Sequence, residues 1–146
     1  MTLFTKIIRG EIPCHKLYED DHVFSFLDIN PLAPGHALVI PKQAVKTLGE
    51  LDDDQAAAIG RVLPRLCRAL TAVTGIFDYN ILQNNGRVAH QAIMHVHFHI
   101  IPKPNEKQGL GIGWPTTTLA PEEGARLAEA VVGELAREVA RGGGAR

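Results

Sequence analysis

Three histidines, His95, His97 and His99, occupy alternate positions in the sequence, with Val96 and Phe98 between them. Side chains alternate between the two faces of a β-strand, so this spacing predicts a strand that presents all three imidazoles on one face. On a helix the same spacing would direct the rings to different sides of the axis. Imidazoles exchange protons near neutral pH and bind metals. The run therefore predicts a functional site.

Three interpretations of the aligned histidines compete. Two histidines at this spacing could bind one zinc ion, but no Asp, Glu or Cys adjoins them in sequence to complete the site. A row of imidazoles that faces solvent on an antiparallel sheet is the plainest alternative. The third is covalent catalysis at phosphorus, with the middle ring, His97, as nucleophile and its neighbours handling protons. We favour the third, because the middle ring is flanked on both sides by groups that can neutralise phosphate oxygens.

Length and composition predict a single soluble domain. The chain has 146 residues, of which 45% are hydrophobic and 21% charged. Fifteen basic residues against sixteen acidic ones, without a basic cluster, argue against nucleic-acid binding. Cys14 and Cys67 form no paired motif, and no apolar stretch approaches the roughly 18 residues of a membrane span. We therefore expect a cytoplasmic protein with no membrane partner.

The elements that must position the histidines are those of a mixed α+β domain. A short helix is predicted over residues 2–9, and a long helix from Asp52 to Thr74, with Gly75 as its stop and Pro64 kinking or dividing it. A last helix begins at Pro121, and the glycines at 142–144 predict a frayed tail. Runs of strand-forming residues predict five strands, at 16–19, 23–29, 36–40, 77–83 and 94–103.

The histidine run and several other segments resemble one known family. Residues 95–101 match the His-φ-His-φ-His-φ-φ signature of the histidine triad (HIT) superfamily. Residues 86–91 and 109–115 are similar to the fungal-type adenosine 5′-monophosphoramidases of its Hint branch. The likeness covers roughly residues 1–115 and leaves the last helix without a recognisable motif. Further segments that look like the Hint branch are 10–13, 18–21, 26–31, 33–36, 38–42, 83–86 and 101–104.

This resemblance implies an α+β HIT fold. The resemblance further implies a homodimer, in which each chain is built on a five-stranded antiparallel sheet with a long helix and a C-terminal helix. One HIT domain is expected over residues 1–141, followed by a flexible tail at 142–146. The implied activity is hydrolysis of purine nucleoside 5′-phosphoramidates to the monophosphate and an amine, with no cofactor. The alternatives are a dinucleoside polyphosphate hydrolase that uses the same triad, and a purine-nucleotide-binding regulatory protein with weak catalysis.

The resemblance also implies the roles of individual residues. His97 matches the nucleophile that forms a nucleotidyl intermediate, and His95, His99 and His36 match the histidines beside it. Asp28 falls where the ribose hydroxyls are held, since a carboxylate can accept two hydrogen bonds from a cis-diol. The other expected nucleotide contacts are Ile12, Phe26, Leu27, Ile29, Asn84, Gln91, Ala92 and Ile93. The remaining histidines, expected at the surface without a role, are His15, His22 and His90.

Two departures from the family pattern change what we expect. Many Hint relatives hold a structural zinc near the N-terminus, but Thr2, Thr5 and Ala44 stand here at three of its four ligand positions. Because His95 alone remains, we predict no metal. The second departure is Ala92, which stands where many relatives place a serine or threonine. It removes a hydroxyl donor near the scissile bond and predicts slower turnover or a different leaving group.

Overall fold

Five strands form one antiparallel sheet. They are β1 (Lys16–Glu19), β2 (Val23–Leu27), β3 (Ala37–Pro41), β4 (Tyr79–Gln83) and β5 (Phe98–Pro102), arranged in the order β1-β2-β3-β5-β4. The computed structural model describes residues 1–144, and their side chains as far as residue 140. The predicted α+β class and five-stranded antiparallel sheet are confirmed.

The two faces of the sheet are covered by different helices. One face packs on α2 (Asp53–Thr74), through the buried side chains Ala58, Ile59, Val62, Leu66 and Cys67. The opposite face packs on α1 (Leu3–Ile8), whose Phe4 and Ile7 contact Phe24, Phe26, Leu38 and Ile40. The face under the short α1 keeps room for a pocket.

The ends of α2 follow the sequence signals, whereas its interior does not. Asp52 accepts a hydrogen bond from the backbone N–H of Gln55 at the N-terminus, and Gly75 ends the helix in the left-handed conformation with φ 71°. The predicted division at Pro64 does not occur, because α2 continues through it. Pro64 lies on the exposed side, and the buried face packs on the sheet both before and after it. Tertiary packing therefore compensates for the lost backbone hydrogen bond.

The histidine strand is shorter than predicted. β5 begins at Phe98, so only His99 lies within it, and His95 and His97 precede it. The backbone before β5 leaves the sheet, since Val96 N–H donates to the carbonyl of Val45 in a loop instead of to a neighbouring strand. Strand pairing is a tertiary property, and the alternating pattern extends beyond the residues that pair.

A C-terminal unit begins at Ile112, after a first unit that spans Met1–Gly111. Its helix α3 (Pro121–Gly144) starts at the predicted proline, with Glu122 and Glu123 in the first turn. The predicted tail therefore overlaps the end of α3 at 142–144, and residues 145–146 lie outside the described part. The single domain over 1–141 stays a prediction. The apolar face of α3 is largely exposed, at Leu127, Val131, Val132, Leu135 and Val139.

Among the described residues, no helix combines the length and the apolar character that crossing a membrane requires.

Candidate active site

A pocket of about 450 Å³ lies on the α1 face of the sheet. Four directly paired residues form a row across its floor in the order Phe26, Leu38, His99 and Leu82, one each from β2, β3, β5 and β4. Adjacent strands are about 4.8 Å apart, so the row spans about 14 Å. The pocket therefore has a β2 side, which α1 and residues 12–14 line with mostly apolar groups, and a β4 side, which the loop after β4 lines.

His97 lines the pocket, and the hydrogen bond of its Nδ1 leaves Nε2 as the available ring nitrogen. Its Nδ1 lies 2.8 Å from the carbonyl oxygen of His95, and since a carbonyl can only accept, Nδ1 carries the proton. Nε2 of the neutral ring then has a free lone pair. Phe4 packs edge-on against the ring, with centroids 5.0 Å apart, and His99 does the same at 5.1 Å. These contacts hold the ring plane in place.

His99 has the opposite tautomer, set by His36. Nδ1 of His36 accepts from the backbone N–H of Leu32 at 3.0 Å, so its Nε2 carries the proton and donates to His99 Nδ1 at 2.9 Å. His99 must then hold its own proton on Nε2. A carboxylate oxygen of Asp28 lies 3.5 Å from His36 Nε2. The pocket thus contains a nitrogen of His97 that can act as a nucleophile and a hydrogen-bond donor, the Nε2–H of His99.

Burial keeps these rings neutral. The pKa of His99 is lowered to about 4, chiefly by desolvation and also by the neighbouring His97 and His36, although the charge of Asp28 opposes the shift. Desolvation also lowers the pKa of His36, although the charge of Asp28 opposes that shift. Both rings are therefore uncharged at neutral pH, as the chain of hydrogen bonds between them requires.

The ring of His95 does not reach the pocket. It is fully buried, its Nε2 donates to the carbonyl of Pro41 at 2.8 Å, and its Nδ1 accepts from the Thr2 hydroxyl at 2.9 Å. Burial lowers its pKa, with Pro41 opposing the shift. Its contribution to the site comes through its backbone carbonyl, which orients His97. His95 is a positioning residue in this geometry.

Most of the predicted nucleotide contacts line the pocket. They are Ile12, Phe26, Leu27, Asp28, Ile29, Asn84, Ala92 and Ile93. Gln91 does not line it, because its side chain is buried against the backbone of its own and a neighbouring loop. Its Nε2 donates to the carbonyls of Lys46 and Ile93, and its Oε1 accepts from Gly86 N–H at 2.7 Å. Gln91 thereby shapes the loop that carries Asn84 and Ala92.

The geometry agrees with the comparisons to known proteins. The family model described as HIT domain matches residues 9–106. The chain belongs to the HIT domain family. Among curated relatives, the adenosine 5′-monophosphoramidase hnt1 of Schizosaccharomyces pombe is 50% identical over 133 residues, 91% of this chain and 97% of the relative.

Two further HIT proteins extend the comparison. The crystal structure of a histidine triad nucleotide-binding protein from Candida albicans matches with a TM-score of 0.86 at 43% identity, over 94% of this chain and 99% of that one. The adenylylsulfatase HINT3 of Arabidopsis thaliana is 48% identical over 101 residues, 69% of this chain and 51% of the relative. The resemblance to fungal adenosine 5′-monophosphoramidases is thus confirmed.

Two residues that sequence reasoning missed contribute to this HIT site. Phe4 positions the His97 ring from α1, and its signal was only the apolar face of a short helix. His90 is exposed, as expected, but it also lines the pocket. It has φ 69°, and it is the only residue other than glycine with a positive φ among those that the structure describes. No sequence signal marks a histidine that occupies a glycine-like conformation.

We predict that the purified HIT protein contains no stoichiometric zinc. Nδ1 of His95 lies 2.9 Å from the Thr2 hydroxyl, and the Thr2 oxygen lies 3.0 Å from the Thr5 hydroxyl. Two hydroxyl groups therefore stand where a zinc site would need thiolates. Among the described residues, the group that could hold a metal is Asp28, His36 and His99. A hydrogen bond between the two histidines already occupies the ring nitrogens that face each other.

Elemental analysis of protein prepared without chelator checks this. The variant Thr2→Cys/Thr5→Cys/Ala44→His restores the family's ligand types and serves as the zinc-binding control. One zinc per wild-type chain would contradict the prediction.

Proposed function

We propose that this HIT protein hydrolyses purine nucleoside 5′-phosphoramidates to the nucleoside monophosphate and an amine, through a nucleotidyl-His97 intermediate. The observation that carries the proposal is the pair of complementary tautomers in one pocket, a free Nε2 lone pair on His97 and an Nε2 proton on His99. Relatives named adenosine 5′-monophosphoramidase and adenylylsulfatase support the same class of reaction, in which a group attached to AMP is displaced.

The shape of the pocket suggests how the substrate lies. The purine fits the apolar β2 side, between α1 and the segment at 12–14, where burial of its rings is favourable. Asp28 follows β2 on the same side, where its carboxylate can accept from the ribose hydroxyls. The α-phosphate then lies over β5, beside His97 and His99, with Asn84 as a neutral donor on the β4 side.

The proposed chemistry has two displacements. Nε2 of His97 bonds to phosphorus as the P–N bond of a substrate protonated on nitrogen from solvent breaks, and the electron pair goes to the departing amine. The Nε2–H of His99 donates a hydrogen bond to the phosphate and stabilises the charge that shifts onto its oxygens. Water then attacks phosphorus, gives up its proton to solvent and releases His97 and AMP. Throughout, the His97 Nδ1 proton stays bonded to the carbonyl of His95.

AMP release tests the proposal. Adenosine 5′-phosphoramidate, diadenosine triphosphate and diadenosine tetraphosphate are compared side by side on the wild-type protein. We expect the phosphoramidate to be cleaved fastest. Preference for the dinucleotides would favour the alternative hydrolase, which expels a nucleotide by the same intermediate. Tight AMP binding without turnover of any substrate would favour a regulatory nucleotide-binding protein.

We predict that Ala92→Ser raises kcat on the phosphoramidate by about tenfold, because it places a hydroxyl donor in the pocket beside the histidines. Steady-state AMP release measures the effect. Ala89→Ser adds the same hydroxyl to an exposed position of the same loop that does not line the pocket, and it is the matched control. Equal rates for wild type and Ala92→Ser would show that the missing hydroxyl has no part in this reaction.

We also propose a homodimer that forms at the β4 edge of the sheet. Among the described strands β4 pairs only with β5, and it exposes Tyr79 and Ile81, with Phe77 just before it. The other edge, β1, carries Lys16 and Glu19, and charged side chains protect an edge from pairing. An exposed apolar edge of this kind is suited to pairing with a second copy.

Light scattering after gel filtration is expected to give twice the chain mass of 15.9 kDa. Ile81→Lys places a charge at the proposed interface and is expected to shift the protein to monomer, while Leu17→Lys on β1 leaves the mass unchanged. A monomeric wild type would contradict the proposed dimer.

We further propose that the protein acts in the cytoplasm and binds no nucleic acid. The balanced charge of the chain supports the second part of this proposal.

A further inference from the structure

We propose that His90 is a specificity-determining residue that contacts the leaving group and assists the departure of those that leave as anions. The inference rests on the proposed function, because it assigns the part of the substrate that lies beyond the phosphate. No motif of the sequence indicated it. It comes from the position of His90 in the pocket, from the strained backbone that holds it there, and from the charges around it.

The row of paired residues places His90 on the leaving-group side. Phe26 and Leu38 lie on the β2 side of His99, and Leu82 lies on its β4 side. A purine over the β2 side and a phosphate at His97 and His99 direct the rest of the substrate toward β4. The loop that follows β4 contributes Asn84, His90 and Ala92 to the pocket lining. The side chain of Ala92 is only a methyl group, so His90 carries the bulkiest polar side chain among the residues that this loop contributes to the lining.

The backbone at His90 is strained and firmly held. A positive φ, here 69°, is unfavourable for any residue with a Cβ, and such strain is concentrated at functional sites. The loop keeps this conformation by several hydrogen bonds. Gln91 N–H donates to the carbonyl of Gly86, its side chain joins Gly86 N–H to Lys46 and Ile93, and His90 N–H donates to the carbonyl of Arg87. A glycine would adopt this conformation without strain, so the imidazole itself is the feature that needs explaining.

The charges at this side favour an anion. Asp28 is the only acidic residue that lines the pocket in the described structure. It follows β2, and its carboxylate lies 3.5 Å from His36 Nε2 and within 4.8 Å of a ring nitrogen of His99, outside the loop after β4. The loop from Asn84 to Ile93 contains no acidic residue, and its one permanent charge is that of Arg87. A cationic amine would find no carboxylate here. A leaving group with acceptor oxygens finds the donors of His90 and Asn84.

The two kinds of leaving group need different help. An amine leaves with its nitrogen already protonated from solvent, so no anion develops on it as the P–N bond breaks. When adenosine 5′-phosphosulfate is attacked by His97, the P–O bond breaks with its electron pair on the sulfate oxygen, and sulfate departs as a dianion without a proton. A hydrogen-bond donor beside the departing oxygen stabilises that developing charge. The imidazole of His90 therefore matters more for the sulfate than for the amine.

The test compares kcat/KM for adenosine 5′-phosphosulfate and adenosine 5′-phosphoramidate in three proteins. His90→Gly keeps the left-handed backbone and removes the imidazole, and His90→Asn tolerates the same backbone and restores a side-chain donor. We expect His90→Gly to lower the phosphosulfate value about tenfold more than the phosphoramidate value. We expect His90→Asn to recover at least half of that loss on a logarithmic scale. His15→Asn, at an exposed position outside the pocket, is the control.

The factors by which His90→Gly lowers kcat/KM for the two substrates decide whether His90 contacts the leaving group. If His90→Gly changes both substrates by the same factor, or neither, His90 only shapes the loop and the inference is wrong. A larger loss on the phosphoramidate would assign His90 to amines and also contradict it. Wild-type protein that hydrolyses neither substrate contradicts the proposed function itself, and the assignment of His90 with it. Wild-type turnover with an unchanged substrate ratio in the variants contradicts only the assignment of His90.

Discussion

The variant His97→Ala is expected to hydrolyse adenosine 5′-phosphoramidate about 10⁴-fold more slowly than the wild type, or slower still. Nε2 of His97 is the unprotonated ring nitrogen that this pocket offers to phosphorus, because its Nδ1 proton is committed to the carbonyl of His95. His99, the other histidine of the triad that lines the pocket, does not replace it, since its Nε2 is protonated. Removing the attacking group removes the covalent route itself.

AMP binding separates this effect from a damaged pocket. In the proposed pose the purine and ribose lie on the β2 side and the His97 ring meets only the phosphate, so the Kd for AMP measured by calorimetry is expected to stay within about threefold of the wild-type value. His15→Ala changes an exposed histidine outside the pocket and is the matched control for turnover. His97→Gly with added imidazole is expected to recover part of the rate. If His97→Ala retained the wild-type rate, another residue would be the nucleophile.

The variant His36→Ala is expected to show the next largest effect, a loss of about 100-fold in kcat on the phosphoramidate. His36 is only 3% exposed, and its Nε2 proton fixes the tautomer of His99 from the side away from the pocket. Without that donor, His99 is free to carry its proton on Nδ1, where it cannot donate a hydrogen bond to the phosphate. The loss also leaves the backbone N–H of Leu32 without its partner. We therefore expect the free energy of unfolding to fall by about 2 kcal/mol.

Steady-state rates and urea unfolding of the same preparations measure the two effects separately. His36→Gln keeps a side-chain donor and acceptor and is expected to recover part of both. His22→Ala is the matched control, because His22 is half-buried against Gln55, with 2.6 Å between Nδ1 and the amide nitrogen, and does not line the pocket. A fully folded His36→Ala variant with the wild-type kcat would show that the tautomer of His99 does not depend on His36.

Much of the fold could be predicted because its signals are local. Alternating apolar residues indicated the strands, Asp52 and Gly75 marked the ends of α2, and Pro121 marked the start of α3. Such signals act within a few residues of chain, where propensity and capping operate. The predicted division of α2 at Pro64 failed where a local preference met tertiary packing. α2 continues through Pro64 since its buried face packs on the sheet both before and after that residue.

Within the site, the residue types and spacing by themselves indicated that histidines are the candidates for the chemistry and that the middle one is the candidate nucleophile. Only the tertiary structure decided which nitrogen of each ring carries the proton, since that depends on Leu32, His36 and the carbonyl of His95.

The tertiary structure also decided that the His95 ring faces Thr2 instead of the pocket and that Gln91 bonds to its own loop. It alone placed His90 in a left-handed backbone at the pocket wall. The physical reason is the same in each case. A sequence pattern reports which face of an element a side chain occupies, whereas protonation, orientation and strain are set by atoms that lie far away along the chain.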